Sequence, residues 1–163
     1  MISYKANNFW SYSQIQYSQP GVKEYCLKLQ NTYGGNVNIL LFCSWLGCCG
    51  IKISTKDIIL ATRTIKHWDL NVVQSLRRAR RYFSGSSAAT KNSNIVNALK
   101  KLELTSEKSV QNTLCEWALL RNFKPNIVKD PKWTIININK YLVILDAPTL
   151  SEKNKLFTHE NFT

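Results

Sequence analysis

A chain of 163 residues and 18.8 kDa, with 44% hydrophobic and 20% charged residues, is long enough to enclose a core, and this composition excludes an intrinsically disordered chain. Its 22 Lys and Arg against 10 Asp and Glu give a formal net charge of +12, a field that attracts nucleic acid, an anionic membrane surface or an acidic protein. The longest apolar run, Val37 to Gly50, falls short of the roughly 20 residues a membrane-spanning helix needs. MISYKANNFW has no charged segment leading into an apolar one, so neither export nor a transit peptide is expected.

In chain order, Asn8 reads as the cap of a short helix carrying Phe9, Trp10, Tyr12, Ile15 and Tyr17 and stopping near Gln19. Pro20 suits the first position of a second helix, with Val22, Tyr25, Cys26, Leu29 and Tyr33 at helical spacing and Gly34 placed to end it. Asn36 caps a third, Val37 to Cys49. It is apolar nearly all round and is therefore expected at the centre, with Trp45 in the core. Asn38 is its polar intruder, expected to tie the helix start to a neighbouring loop.

Ser54 and Asp57 form a capping-box-like start, followed by Ile58, Ala61, Ile65 and Trp68 on one face and Arg63 and Lys66 on the other. Asp69 reads as the cap of the next helix, whose stripe is Val72, Leu76, Ala79 and Phe83. Residues 84–94, SGSSAATKNSN, read as a flexible loop. A longer helical stretch then runs from Ile95 towards Phe123, and Pro125 and Pro131 bracket a break. WTIININKYLVIL is taken as helix because Ile135, Ile138, Leu142 and Leu145 share one face, although its isoleucines also suit a strand.

The expected architecture is an all-α bundle of about six or seven helices packed round the Val37–Cys49 helix. It forms one domain over 1–163 with its core in 8–146 and a loosely ordered tail over 148–163.

FW at 9 and 10, Tyr17, PGV at 20–22, CLKLQ at 26–30 and VNILLFCSWLG at 37–47 together resemble an uncharacterised proteobacterial family of small helical proteins, a domain of unknown function. The likeness extends through Trp68, Val72 and Val73 to the Leu-Arg-Arg pattern at 76–78, and Leu102, Glu103, Leu104 and Glu107 are similar to the family's later helix. The resemblance implies a helical fold and a bacterial, cytoplasmic origin. It names no activity.

Five cysteines, Cys26, Cys43, Cys48, Cys49 and Cys115, lie in apolar stretches, are odd in number and follow no framework, which reads as reduced thiols of the cytoplasm. Cys43, Cys48 and Cys49 with His67 match no usual zinc spacing. No metal or cofactor is implied. The scarce histidines, the absence of a G-x-S-x-G elbow and the absence of a glycine-rich phosphate loop argue against a recognisable enzyme, leaving an enzyme of unknown class as the weakest reading.

The leading candidate site is a basic face around LRRARRYF. Arg77, Arg78 and Arg81 point away from the Leu76 stripe, and Arg63 and Lys66 extend the patch if the two helices pack antiparallel. On this reading the protein is a non-catalytic binding or adaptor protein meeting an acidic protein partner; a non-specific nucleic-acid binder is the alternative. Against both stands a merely solvated face. Asn38, Arg80, Glu103 and Glu107 form the candidate buried polar cluster, with the two glutamates one helical turn apart and suited to ion pairs with Arg77 or Arg80.

Overall fold

The computed structural model describes residues 6–85, 92–124, 130 and 132–157. Among them the chain forms α1 (Ala6–Ser18), α2 (Val22–Tyr33), α3 (Val37–Cys48), α4 (Thr55–Trp68), α5 (Gln74–Gly85), α6 (Ser93–Leu120) and α7 (Lys132–Ile144), and no strand. The all-helical expectation holds. The ambiguous isoleucine-rich segment is the helix α7, since its Thr134, Ile135, Ile138, Tyr141 and Leu142 bury one face.

The centre is α3, in which every residue from Asn38 to Gly47 is buried. Its start is fixed by Asn36, whose side-chain oxygen accepts from the amides of Asn38 at 2.9 Å and Ile39 at 3.3 Å, leaving fewer orphan donors at the helix end. Its main partner is α7, and the two cross closely: a Cβ on Gly47 would stand 2.5 Å from the Thr134 backbone. Asn137 on α7 is wholly buried yet satisfied, donating to the carbonyls of Cys43 and Ile51 and accepting from the Ile53 amide. It pins the α3–α4 connection onto α7. Phe9 and Tyr12 close the core from α1, Phe9 lying 5.1 Å from Trp45 in a stacked arrangement.

Several boundaries differ from the sequence reading. Asn8 lies inside α1 rather than capping it, and Pro20 precedes α2 instead of opening it. Gly34 ends α2 as expected, at φ 65°, a left-handed conformation that glycine adopts without steric cost. Asp69 does not cap the start of a new helix, because α4 continues through a π-helical turn, Asp69–Val73, into α5.

The tail is packed at least to Phe157, which is buried and meets Tyr25 edge-on at 5.9 Å, while Asn139 clasps the Leu150 amide and carbonyl. Apolar anchoring at Ala147 and Phe157 outweighs the polar composition of 148–157; residues 158–163 lie outside the described set. Of the expected loop 84–94, Ser84 and Gly85 end α5 and Ser93 and Asn94 begin α6, with 86–91 outside the described residues.

Helix α6 runs antiparallel along the α4–π–α5 rod, as the pairings of Arg121 with Asp57, Trp68 with Ser106 and Arg80 with Glu103 show. Among the helices α5 packs only on α6 and the π turn, and it has no buried residue. The α5–α6 pair is thus an arm beside the core. Among the described residues no helix is long and apolar enough to cross a membrane.

Candidate functional site

The arm leaves two adjoining clefts where it faces α2 and the start of α3. The first, of about 520 Å³, lies between the α2–α3 turn and the π turn with α5, and Asn31, Asn36, Asp69, Gln74, Arg78 and Arg81 contribute to its lining. The second, of about 370 Å³, lies between α1, α2 and α6, with Trp10, Ser13, Tyr17, Glu107 and Gln111 among its walls. Arg77, Gln30, Asn38 and Arg81 border both.

Arg77 is the partition. Its guanidinium donates through Nε to Glu103 at 3.0 Å, through Nη1 to Gln30 at 2.7 Å and through Nη2 to Glu107 at 2.7 Å, so all three of its nitrogens are engaged. Arg80 donates through Nε and Nη2 to the same Glu103. The sequence reading had placed Arg77 on the outward basic face. The structure turns it inward, because α6 presents two carboxylates to α5 and a planar fork of donors can bridge them.

The two glutamates answer differently to this shared partner. Burial disfavours ionised Glu103, but hydrogen bonds from Arg80 and Arg77 outweigh it and hold the carboxyl below the ordinary carboxylate range. Burial also pushes Glu107 up, and the Glu103 charge adds to this, while Arg77 alone opposes it. The Oε2 atom of Glu107 accepts no hydrogen bond among the described residues.

Of the remaining predicted site residues, Arg78 and Arg81 are exposed, border the first cleft and have no carboxylate partner among the described residues. Arg78 donates to Ser75 Oγ at 2.9 Å. Arg63 and Lys66 are exposed but border neither cleft. The condition for adding them to the patch is not met: α4 and α5 follow one another through the π turn instead of packing side by side, and at about 1.5 Å per residue Arg63 lies roughly 20 Å along the rod from Arg78. Asn38 binds Gln111 on α6, whose Nε2 donates to Asn38 Oδ1 at 2.9 Å, and so joins two helices rather than a helix and a loop.

Sequence reasoning missed Ser13, Gln30 and Gln111. Gln111 carried a usable signal, since it follows Glu103 and Glu107 at successive four-residue steps and so continues one polar face of α6. Ser13 and Gln111 are almost wholly buried, and Ser13 Oγ and Gln111 Oε1 find no hydrogen-bond partner among the described residues. None of the five cysteines forms a disulfide, and burial drives the thiols of Cys26 and Cys115 up to about 12, which leaves them protonated and unreactive. Among the described residues no three His, Cys, Asp or Glu converge on a point that could hold a metal ion.

Fold and site together define a helical bundle with a polar, arginine-bordered double cleft. Residues 8–114 match the family described as "Protein of unknown function (DUF2390)", and the chain belongs to that family. No curated protein and no solved structure matches the chain. The matched span runs from α1 into α6 and contains every residue named above as bordering the clefts, whereas α7 lies beyond it.

Proposed function

We propose that the protein is a non-catalytic binding protein that receives a carboxylate-bearing segment of an acidic protein partner in the first cleft. One observation carries this reading: Arg78 and Arg81 stand exposed at the same polar cleft with no ion-pair partner among the described residues, since its one lining carboxylate, Asp69, is bonded to Gln74, while the charges of Arg77 and Arg80 are already met by Glu103 and Glu107. A guanidinium in a concave, partly desolvated site binds carboxylate more strongly and with better geometry than one on a flat face. The surrounding field of a chain with net charge +12 steers an acidic partner towards it.

The dimensions favour a peptide side chain or chain end over a nucleic-acid duplex. A cleft of about 520 Å³ takes a few side chains, and Arg63 and Lys66 are too far along the rod to add to it. A reducing compartment such as the cytoplasm suits five cysteines that form no disulfide.

The test is binding of the purified protein to fluorescent Asp- and Glu-rich peptides, duplex DNA, RNA and anionic vesicles across a salt series, beside the Arg78→Ala/Arg81→Ala variant. Acidic peptides are expected to bind with salt-sensitive affinity and to lose about tenfold or more in the variant. Tighter binding of duplex with a steep salt slope would install the nucleic-acid reading instead. No binding by any probe, or binding indifferent to the two arginines, would overturn the assignment.

A further inference from the structure

The second cleft has a chemistry of its own. Two side chains of its lining, Ser13 from α1 and Gln111 from α6, carry buried oxygens, Oγ and Oε1, that meet no hydrogen-bond partner among the described residues. Leaving a buried acceptor unpaired is costly in a folded protein, and a water, an ion or a ligand can complete it. Gln111 spends its amide nitrogen on Asn38 Oδ1 and keeps only its oxygen unmet. One such filler is a trapped water, which a polar cavity of this size readily holds.

The charges bordering the cleft narrow the choice. Arg77, Arg80 and Glu103 satisfy one another, and Glu107 gives one oxygen to Arg77. What remains is Arg81, with no partner among the described residues, and the second oxygen of Glu107. The three arginines against two glutamates leave a surplus of one positive charge, which selects an anion. The unmet acceptors ask that this anion also carry a donor. Between these ends Leu27, Leu41 and Leu104 line the wall with Trp10, a surface suited to a short hydrocarbon body.

We propose that the second cleft is a binding site for a small carboxylic acid bearing a hydrogen-bond donor beside its carboxyl, an amino or hydroxy acid with an apolar side chain. Arg81 takes the carboxylate, Gln111 and Ser13 accept from the donor, and Glu107 adds a further acceptor. The two assignments share Arg81 as a binding group, and Gln30, Val37, Asn38 and Arg77 border both clefts, but they are told apart by Arg78, which serves only the first, and by Gln111 and Ser13, which serve only the second.

Calorimetry and thermal denaturation with four compounds of one shape test it: leucine, 2-hydroxy-4-methylpentanoate, 4-methylpentanoate, which lacks the donor, and leucinamide, which lacks the anion. Leucine or the hydroxy acid is expected to saturate the protein and raise its melting temperature, with the other two at least about tenfold weaker. Ser13→Ala should fold with unchanged or higher melting temperature and lose the ligand response; Gln111→Leu should lose that response as well, from a melting temperature lowered by the loss of its hydrogen bond to Asn38 Oδ1. If none of the four saturates, or if binding persists undiminished in both variants, the proposal falls and the unmet groups serve internal water. If 4-methylpentanoate binds as well as leucine, the cleft recognises a plain carboxylate and the role given to Gln111 and Ser13 is wrong.

Discussion

Helices α3 and α5 have similar lengths and opposite circumstances. Along α3 every side chain from Asn38 to Gly47 is buried, and its backbone approaches α7 so closely that the crossing admits only a glycine at 47. Along α5 nothing is buried, and four arginines crowd its surface. The first is held by packing and by a few wholly satisfied polar contacts; the second is held to the body by ion pairs and by Arg77 reaching across to Gln30. Stability is concentrated at α3 and α7, and the unmet chemistry of the molecule is concentrated where the α5–α6 arm faces α1 and α2.

Substitutions should reproduce that contrast in graded steps. The largest effect belongs to Gly47→Ala, whose methyl group would meet Thr134 Cα and N at 2.5 Å; backbone cannot swing aside, and we expect a loss of about 3 kcal/mol or more in urea denaturation. Asn137→Leu comes next. It strands the Ile53 amide and the Cys43 and Ile51 carbonyls in the core, for about 2 to 4 kcal/mol, and a cost no greater than that of a surface change would show that these groups find other partners.

Arg77→Leu should cost about 1 to 3 kcal/mol, less than the core changes because the pair is only partly buried, and should also loosen the arm, read as faster hydrogen exchange in α5 than in α3. Equal acceleration in both helices would remove the distinction between arm and core.

Acid titration sharpens the comparison inside the cluster. Glu103 is held below the ordinary carboxylate value of 4.5, so the stability it contributes is complete above that pH and lost as pH falls through its folded-state value. Glu107 is raised, so its contribution has the opposite sign: it is complete below 4.5 and is lost as pH rises through the folded-state value. Glu103→Gln should therefore flatten the acid side of the stability profile, whereas Glu107→Gln should remove a decline on the side above 4.5. Matching profiles for the two variants would contradict the assignment. The smallest effects on stability, within about 0.5 kcal/mol, are expected for Arg78→Ala and Arg81→Ala, whose loss should be felt in binding.

Much of the fold was legible beforehand because its signals are local. An apolar run without a polar face can only be central, Asn36 and Ser54 cap where their side chains can reach the first free amides, and Gly34 stops α2 where the chain turns left-handed. Glu103 and Glu107, one turn apart, advertised a partner for arginine. The misreadings came from composition and from rules that are blind to distant contacts: Asp69 has the chemistry of a cap but sits in a π turn, bonded to Gln74, and the polar tail is anchored by Phe157.

Helix positions, the central place of α3, the basic balance and the ion-pairing potential of α5 and α6 are properties of the sequence itself, since each rests on periodicity, capping or charge within a short stretch of chain. Which arginine faces inward, whether Arg63 and Lys66 stand beside Arg78, and which polar groups of α1 and α6 are left without partners were decided only by tertiary structure. A side chain's partner is set by what the fold brings opposite it, and residues as far apart as Gln30 and Arg77, or Ser13 and Gln111, share a wall only once the helices between them have packed.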